Sequence, residues 1–172
     1  MTSRALAFVL MVAGCAPRVT TPPQRIAATA PALVGTRAPS FALPVIGGAP
    51  GALVRSADLA GHVALLDFWA TWCPPCTAAV PHLNELAHRY AAHGLRIIGV
   101  SSETDDDVAH FAADNAVAYT LARDADDSLA SAYQVGALPM LVLIDRAGII
   151  RYVAINERDS RALDAAIVDA LN

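Results

Sequence analysis

From Val63 to Ala70 the chain reads Val-Ala-Leu-Leu-Asp-Phe-Trp-Ala, a nearly unbroken apolar run, and it continues directly into Thr71-Trp72-Cys73-Pro74-Pro75-Cys76. The run has strand length and lacks polar alternation, the pattern of a strand buried on both faces. One charge, Asp67, interrupts it. Pro74 and Pro75 suit the opening positions of a helix, where a missing N–H matters little. Apolar residues then recur at Val80, Leu83, Leu86, Ala87 and Tyr90 as far as His93, and Gly94 supplies a stop. A doubly covered strand that hands over to a helix through a cysteine pair restricts the chain to an α/β architecture.

The remaining pattern agrees. Ala38 to Pro44 with the Gly47-Gly48 turn predicts a short strand or hairpin, and Leu53 to Gly61 a turn or short helix. A second buried strand is expected over Leu95–Val100, a helix over Asp105–Asn115 and a short extended piece over Tyr119–Arg123. A helical turn or two over Ser128–Tyr133 follows, then strands at Met140–Ile144 and Ile149–Ile155 and a closing helix over Arg158–Leu171. At 172 residues the chain has room for one domain of ordinary size. Its 55% apolar and 16% charged residues exclude a disordered chain, and the mean hydropathy of +0.43 is inflated by alanine. All twelve basic residues are arginine, the net charge is −4, and no basic block occurs, which argues against nucleic-acid binding.

The first residues read as an export signal. Arg4 precedes an apolar run from Ala5 to Val12, then Val12-Ala13-Gly14-Cys15. The uncharged stretch from Ala5 to Ala16 is twelve residues, short of the roughly 20 a bilayer-spanning helix needs. The four residues ending at Cys15 resemble a bacterial lipobox, which implies cleavage before Cys15 and a lipid on its thiol. The alternative is an ordinary apolar cysteine in a general signal or in a short uncleaved segment. Prolines at 17, 22, 23 and 31 make the next stretch a semi-extended tether. The expected organisation is residues 1–14 as signal, 15–36 as lipidated tether and 37–172 as the folded domain.

Two cysteines two residues apart at a helix start can close a small disulfide, with the first sulfur near the unpaired amides and positive end of the helix dipole. That placement favours the thiolate, the attacking species in disulfide exchange. Cys73 is the candidate nucleophile and Cys76 the candidate resolving thiol. A zinc site needs more ligands than Cys73 and Cys76, and Cys15 is the only other cysteine. Covalent haem attachment needs histidine at position 77, which is threonine. A purely structural disulfide remains open, although so short a loop would contribute little through chain entropy.

The segment Asp67-Phe68-Trp69-Ala70-Thr71-Trp72-Cys73-Pro74-Pro75-Cys76 resembles the active site of thioredoxin-fold proteins. Together with Ala38-Pro39-Ser40-Phe41, Leu59-Ala60-Gly61-His62-Val63 and Leu138-Pro139, it resembles the membrane-tethered TlpA/ResA-like thioredoxins over residues 35–172. The resemblance implies a thioredoxin-like fold: a central mixed sheet flanked by helices, with an N-terminal β-hairpin and an inserted strand-helix region. It implies a cis peptide before Pro139, substrate docking along Trp72, Pro74, Pro75, Leu138 and Pro139, and proton transfer to Cys76 by Asp67, whose pKa burial would raise. Glu103 matches an acid near the site in the ResA branch, with a plain helix N-terminal charge as the alternative. Pro81 matches a proline that kinks the redox helix. Met140, where threonine is frequent, and Gly136, one place early, depart from the pattern and bear on substrate preference.

The histidines at 62, 82, 88, 93 and 110 share no ligand spacing, and Asp124, Asp126 and Asp127 lack the offsets of a calcium loop, so they read as surface groups and a helix cap. No metal and no cofactor beyond the cysteine pair are expected. The resulting expectation is a monomeric, lipid-anchored, extracytoplasmic protein-disulfide reductant. Its partners would be protein disulfides, apocytochrome c among them, and a membrane thiol reductant. The rivals are a thiol-dependent peroxidase, disfavoured by Ala70 where peroxiredoxins carry threonine, and a non-catalytic lipoprotein with a structural disulfide.

Overall fold

The structure, a computed structural model, describes residues 32–156 and 160–172. The lipobox, Cys15 and the tether as far as residue 31 lie outside the described residues.

A five-stranded mixed sheet is built from β3 (Val63–Phe68), β4 (Leu95–Ser101), β5 (Thr120–Arg123), β6 (Met140–Ile144) and β7 (Ile150–Ile155), in the order β5-β4-β3-β6-β7. β4 runs parallel to β3 and β5 parallel to β4, whereas β6 and β7 are antiparallel to their neighbours. A separate hairpin pairs β1 (Ala42–Pro44) with β2 (Leu53–Arg55) and is tied to β5 by Ile46 N–H donating to the Leu121 carbonyl at 2.9 Å. The helices are α1 (Pro74–Tyr90), α2 (Asp105–Asp114), α3 (Ser128–Ala132) and α4 (Ser160–Leu171).

Every residue of β3 is buried because both faces are covered. Alternation sends Leu66 and Phe68 to one side, where Ile98, Val142, Leu129 and Tyr133 meet them, and Val63 and Leu65 to the other, against Leu83 and Leu86 of α1 and Leu163 and Ile167 of α4. Complete burial of each such side chain contributes about 1.5–3 kcal/mol relative to exposure. His82 Nε2 stands 3.0 Å from Asp164 Oδ1, joining α1 to α4 at the surface.

Two expectations need adjustment. Leu53–Gly61 is a strand followed by a 3-10 turn, Ser56–Leu59, rather than a turn or helix alone. Three residues are too few to show a period, and β2 exists through its pairing with β1. The domain also begins before residue 37: Leu33 is buried in the core, Gly35 N–H donates to the Ile150 carbonyl and Ile150 N–H to that of Thr36. Scattered apolar residues such as Leu33 in a proline-rich stretch carry no periodic signal. Among the described residues no helix is long and apolar enough to cross a membrane.

Candidate active site

Strand β3 ends at Phe68, and Trp69 to Trp72 carry the chain to α1. Cys73 is the extended N-cap residue, φ −97° and ψ 100°, and Pro74 and Pro75 fill the first helical positions. Cys73 and Cys76 form a disulfide, S–S 2.01 Å, with Cα atoms 5.3 Å apart. The N–H groups of Cys76 and Thr77 donate to the Cys73 carbonyl at 3.0 and 3.1 Å, closing the first turn around Cys73. Both cysteines are buried in the oxidised state, whereas neighbouring Trp72 is 72% exposed. With Pro74 and Pro75 lacking N–H groups and the Cys76 and Thr77 amides bonded to the Cys73 carbonyl, what favours a thiolate at this position once the bond is reduced is the positive end of the α1 dipole.

Glu103 holds the approach to the helix. Its carboxylate accepts from Thr71 N–H at 2.7 Å and Thr71 Oγ1 at 2.6 Å, and Ser101 Oγ donates to it at 3.2 Å. The cap of α2 is instead Thr104, whose Oγ1 accepts from Asp107 N–H, so Glu103 is not a helix N-terminal charge. Sequence reasoning singled out Glu103 but missed Thr71, which stands two residues before Cys73 with no patterned signal.

Asp67 faces the α1 side of the sheet, with Gly99 beside it on β4 and Leu141 on β6. It is 3% exposed, and burial pushes its carboxyl pKa up to about 7. The group therefore exchanges a proton near neutral pH, as its apolar surroundings in the sequence predicted.

A cleft of about 630 Å³ opens beside the disulfide, lined among others by Trp72, Cys73, Pro74, Pro75, Val135 and Leu138. The Leu138–Pro139 peptide is cis, and Leu138 packs against the cluster that holds both cysteines. Pro139, though buried, does not line the cleft. Asp124, read from sequence as a cap, is buried under the far wall and accepts from Leu129 N–H at 3.1 Å and Ala130 N–H at 2.8 Å, fixing α3. Pro81 lies inside α1. Among the described residues no group of His, Cys, Asp and Glu could hold a metal ion.

Residues 34–153 match the model of the AhpC/TSA family. The chain is 33% identical to the thiol-disulfide oxidoreductase ResA of Bacillus thuringiensis over 132 residues, 76% of this chain and 75% of that protein. The chain belongs to the ResA-like AhpC/TSA proteins. A second ResA relative, from Geobacillus kaustophilus, is 35% identical over 70% of this chain and 68% of its own. Among solved structures, a Chlorobium tepidum protein assigned as a thiol:disulfide interchange protein DsbE superposes with a TM-score of 0.75 at 33% identity, covering 81% of this chain and 98% of that one. A Neisseria meningitidis protein assigned as a thioredoxin gives a TM-score of 0.70 at 30% identity, over 77% and 88% of the two chains. As a ResA-like protein the chain carries its cysteine pair where the thioredoxin-like fold presents a strand-to-helix junction, at the rim of the cleft.

Proposed function

We propose that this ResA-like protein reduces protein disulfides outside the cytoplasm, held to a membrane by a lipid on Cys15. The observation that carries the redox reading is the Cys73–Cys76 disulfide at the first turn of α1, opening on a cleft walled by Leu138 and an exposed Trp72. In the reduced protein the Cys73 thiolate attacks one sulfur of a substrate disulfide, forming a mixed disulfide and releasing the first substrate thiolate, which takes a proton from solvent. Cys76 then gives its proton to the Asp67 carboxylate and attacks the Cys73 sulfur. The second substrate thiolate leaves and is protonated, and the Cys73–Cys76 bond closes. Two electrons pass to the substrate. Trp72, Pro74, Pro75 and Leu138 are the docking surface, with Pro139 fixing the chain behind Leu138, and Glu103 keeps the segment before Cys73 in place through Thr71.

Regeneration requires a thiol reductant in the membrane, since the compartment is separated from cytosolic electron donors. A cysteine pair of apocytochrome c, which must be reduced before haem attachment, is the substrate to test first. Lipid anchorage rests on Val12-Ala13-Gly14-Cys15.

The test is capture. A Cys76→Ala protein mixed with a disulfide-bonded substrate should accumulate a mixed disulfide on Cys73, and Cys73→Ser should be inactive. A Cys73→Ser protein that reduced the substrate at the wild-type rate would sink this mechanism. Peroxide consumption by the wild type at the same rate as disulfide reduction would favour the peroxidase alternative.

A further inference from the structure

Beside Asp67 the sheet has a gap that another residue fills. Gly99 and Asp67 are register partners on adjacent parallel strands, so their side-chain positions lie on one face about 4.8 Å apart. A Cβ on Gly99 would stand 3.2 Å from Tyr119 Cε2, 2.9 Å from Trp69 Nε1 and 2.7 Å from Leu121 Cδ2. Cε2 adjoins the carbon that carries the hydroxyl, so the phenol edge covers Gly99, and the Asp67 charge bears on the phenol. The Tyr119 hydroxyl is buried with no hydrogen-bond partner among the described residues, and the same holds for Trp69 Nε1. A buried hydroxyl donor without an acceptor is an expensive arrangement in a folded protein, and an ionised carboxylate is the acceptor that would satisfy it.

We propose that Tyr119 is a positioning residue of the redox site: its hydroxyl, admitted by the missing side chain at Gly99, donates a hydrogen bond to Asp67 when that carboxyl is ionised, and so stabilises the form that receives the Cys76 proton. The proposal rests on the proton-accepting part assigned to Asp67 above and adds the group that makes this acceptor available.

One other donor at the gap, Trp69 Nε1, is also without a partner, and beyond it the surroundings leave few competitors. β4 presents Gly99, β6 presents Leu141, and α1 brings Cys76 and Leu83 to the same side of the sheet. Of these only Cys76 titrates, and in the oxidised protein it is bonded to Cys73. The other nearby acid, Glu103, is engaged by Thr71 and Ser101. The phenol and the carboxyl also sense each other: burial first, and then the Asp67 charge, push the Tyr119 pKa well above that of an ordinary tyrosine. Tyr119 therefore stays neutral and keeps its proton to donate.

Tyr119→Phe removes the hydroxyl and keeps the ring. In the oxidised protein, where neither cysteine titrates, NMR of carboxyl-labelled aspartate should show the Asp67 midpoint rising by about one pH unit in Tyr119→Phe. An unchanged or lowered midpoint would overturn the proposal. Unfolding gives an independent reading. Tyr119→Phe should match or exceed wild-type stability at pH 5, where Asp67 is neutral, and fall below it at pH 9; an equal change at both pH values would also overturn it. In substrate reduction, a one-unit rise from a pKa near 7 lowers the ionised fraction at pH 7 about fivefold, so the rate should drop by that factor and recover by pH 9. The substitution should add nothing in an Asp67→Asn background. The titration reads Asp67 whether or not it carries the proton. An Asp67→Asn protein that kept the wild-type pH profile would therefore count against the mechanism, while the Tyr119–Asp67 coupling would be decided by the midpoint and the unfolding comparison.

Discussion

At position 67 a carboxyl side chain stands on a strand whose six residues are all buried. Folding raises its pKa from 3.8 to about 7, with burial as the cause. Between those values the folded state holds a proton that the unfolded state has lost, so this group makes stability fall as pH rises from about 4 to 7 and leaves it level above. Asp67→Asn should therefore stabilise the oxidised protein at pH 8 by roughly a few kcal/mol and have little effect at pH 4, as measured by urea unfolding at the two pH values. The same substitution removes the proposed proton acceptor for Cys76 and should slow substrate reduction at pH 7 roughly tenfold or more. The stability gain and the rate loss have one origin. Asp67 was legible in the sequence because a single charge in an apolar strand run needs a reason. Tyr119 was not: it sits just before a four-residue strand, and its nearness to Asp67 depends on the β3–β4–β5 register and on Gly99.

Two short elements set the geometry around the cysteines. The segment between β3 and α1 has no regular structure of its own, and the Glu103 carboxylate holds it through both the amide and the hydroxyl of Thr71. Glu103→Ala leaves both donors unpaired and should lower stability by about 2 kcal/mol. A Thr71→Val, Glu103→Ala double variant should lose less than the sum of the two single losses, since each removes the same contact. Across the cleft, α3 is five residues long and depends on Asp124, which accepts from two of its amides. Asp124→Ala should cost about 1–2 kcal/mol and speed hydrogen exchange at Leu129 and Ala130. The long elements were readable: β3, α1, β4 and β6 carry enough residues for burial pattern and caps to speak. The cap role of Asp124 was visible too. What the sequence could not show was β2, three residues defined by pairing with β1, and the Thr71–Glu103 contact across 32 positions.

Across the molecule, three cysteines divide into one and two. Cys73 and Cys76 share a disulfide at the cleft, and Cys15 belongs to the lipobox-like segment. After lipoprotein processing and full reduction, two thiols should titrate, and Cys15→Ala should release the protein from the membrane fraction. The hairpin and residues 33–36 bond to the outer strands β5 and β7, so the N-terminal end of the described domain is fastened to both edges of the sheet. The central claim is that the Cys73–Cys76 pair cycles. Its equilibrium reduction potential against a thiol–disulfide buffer tests that claim directly. A cycling pair should lie between about −270 and −120 mV, the span of known thioredoxin-like exchangers, whereas a value below about −300 mV, typical of structural bridges, would contradict the account.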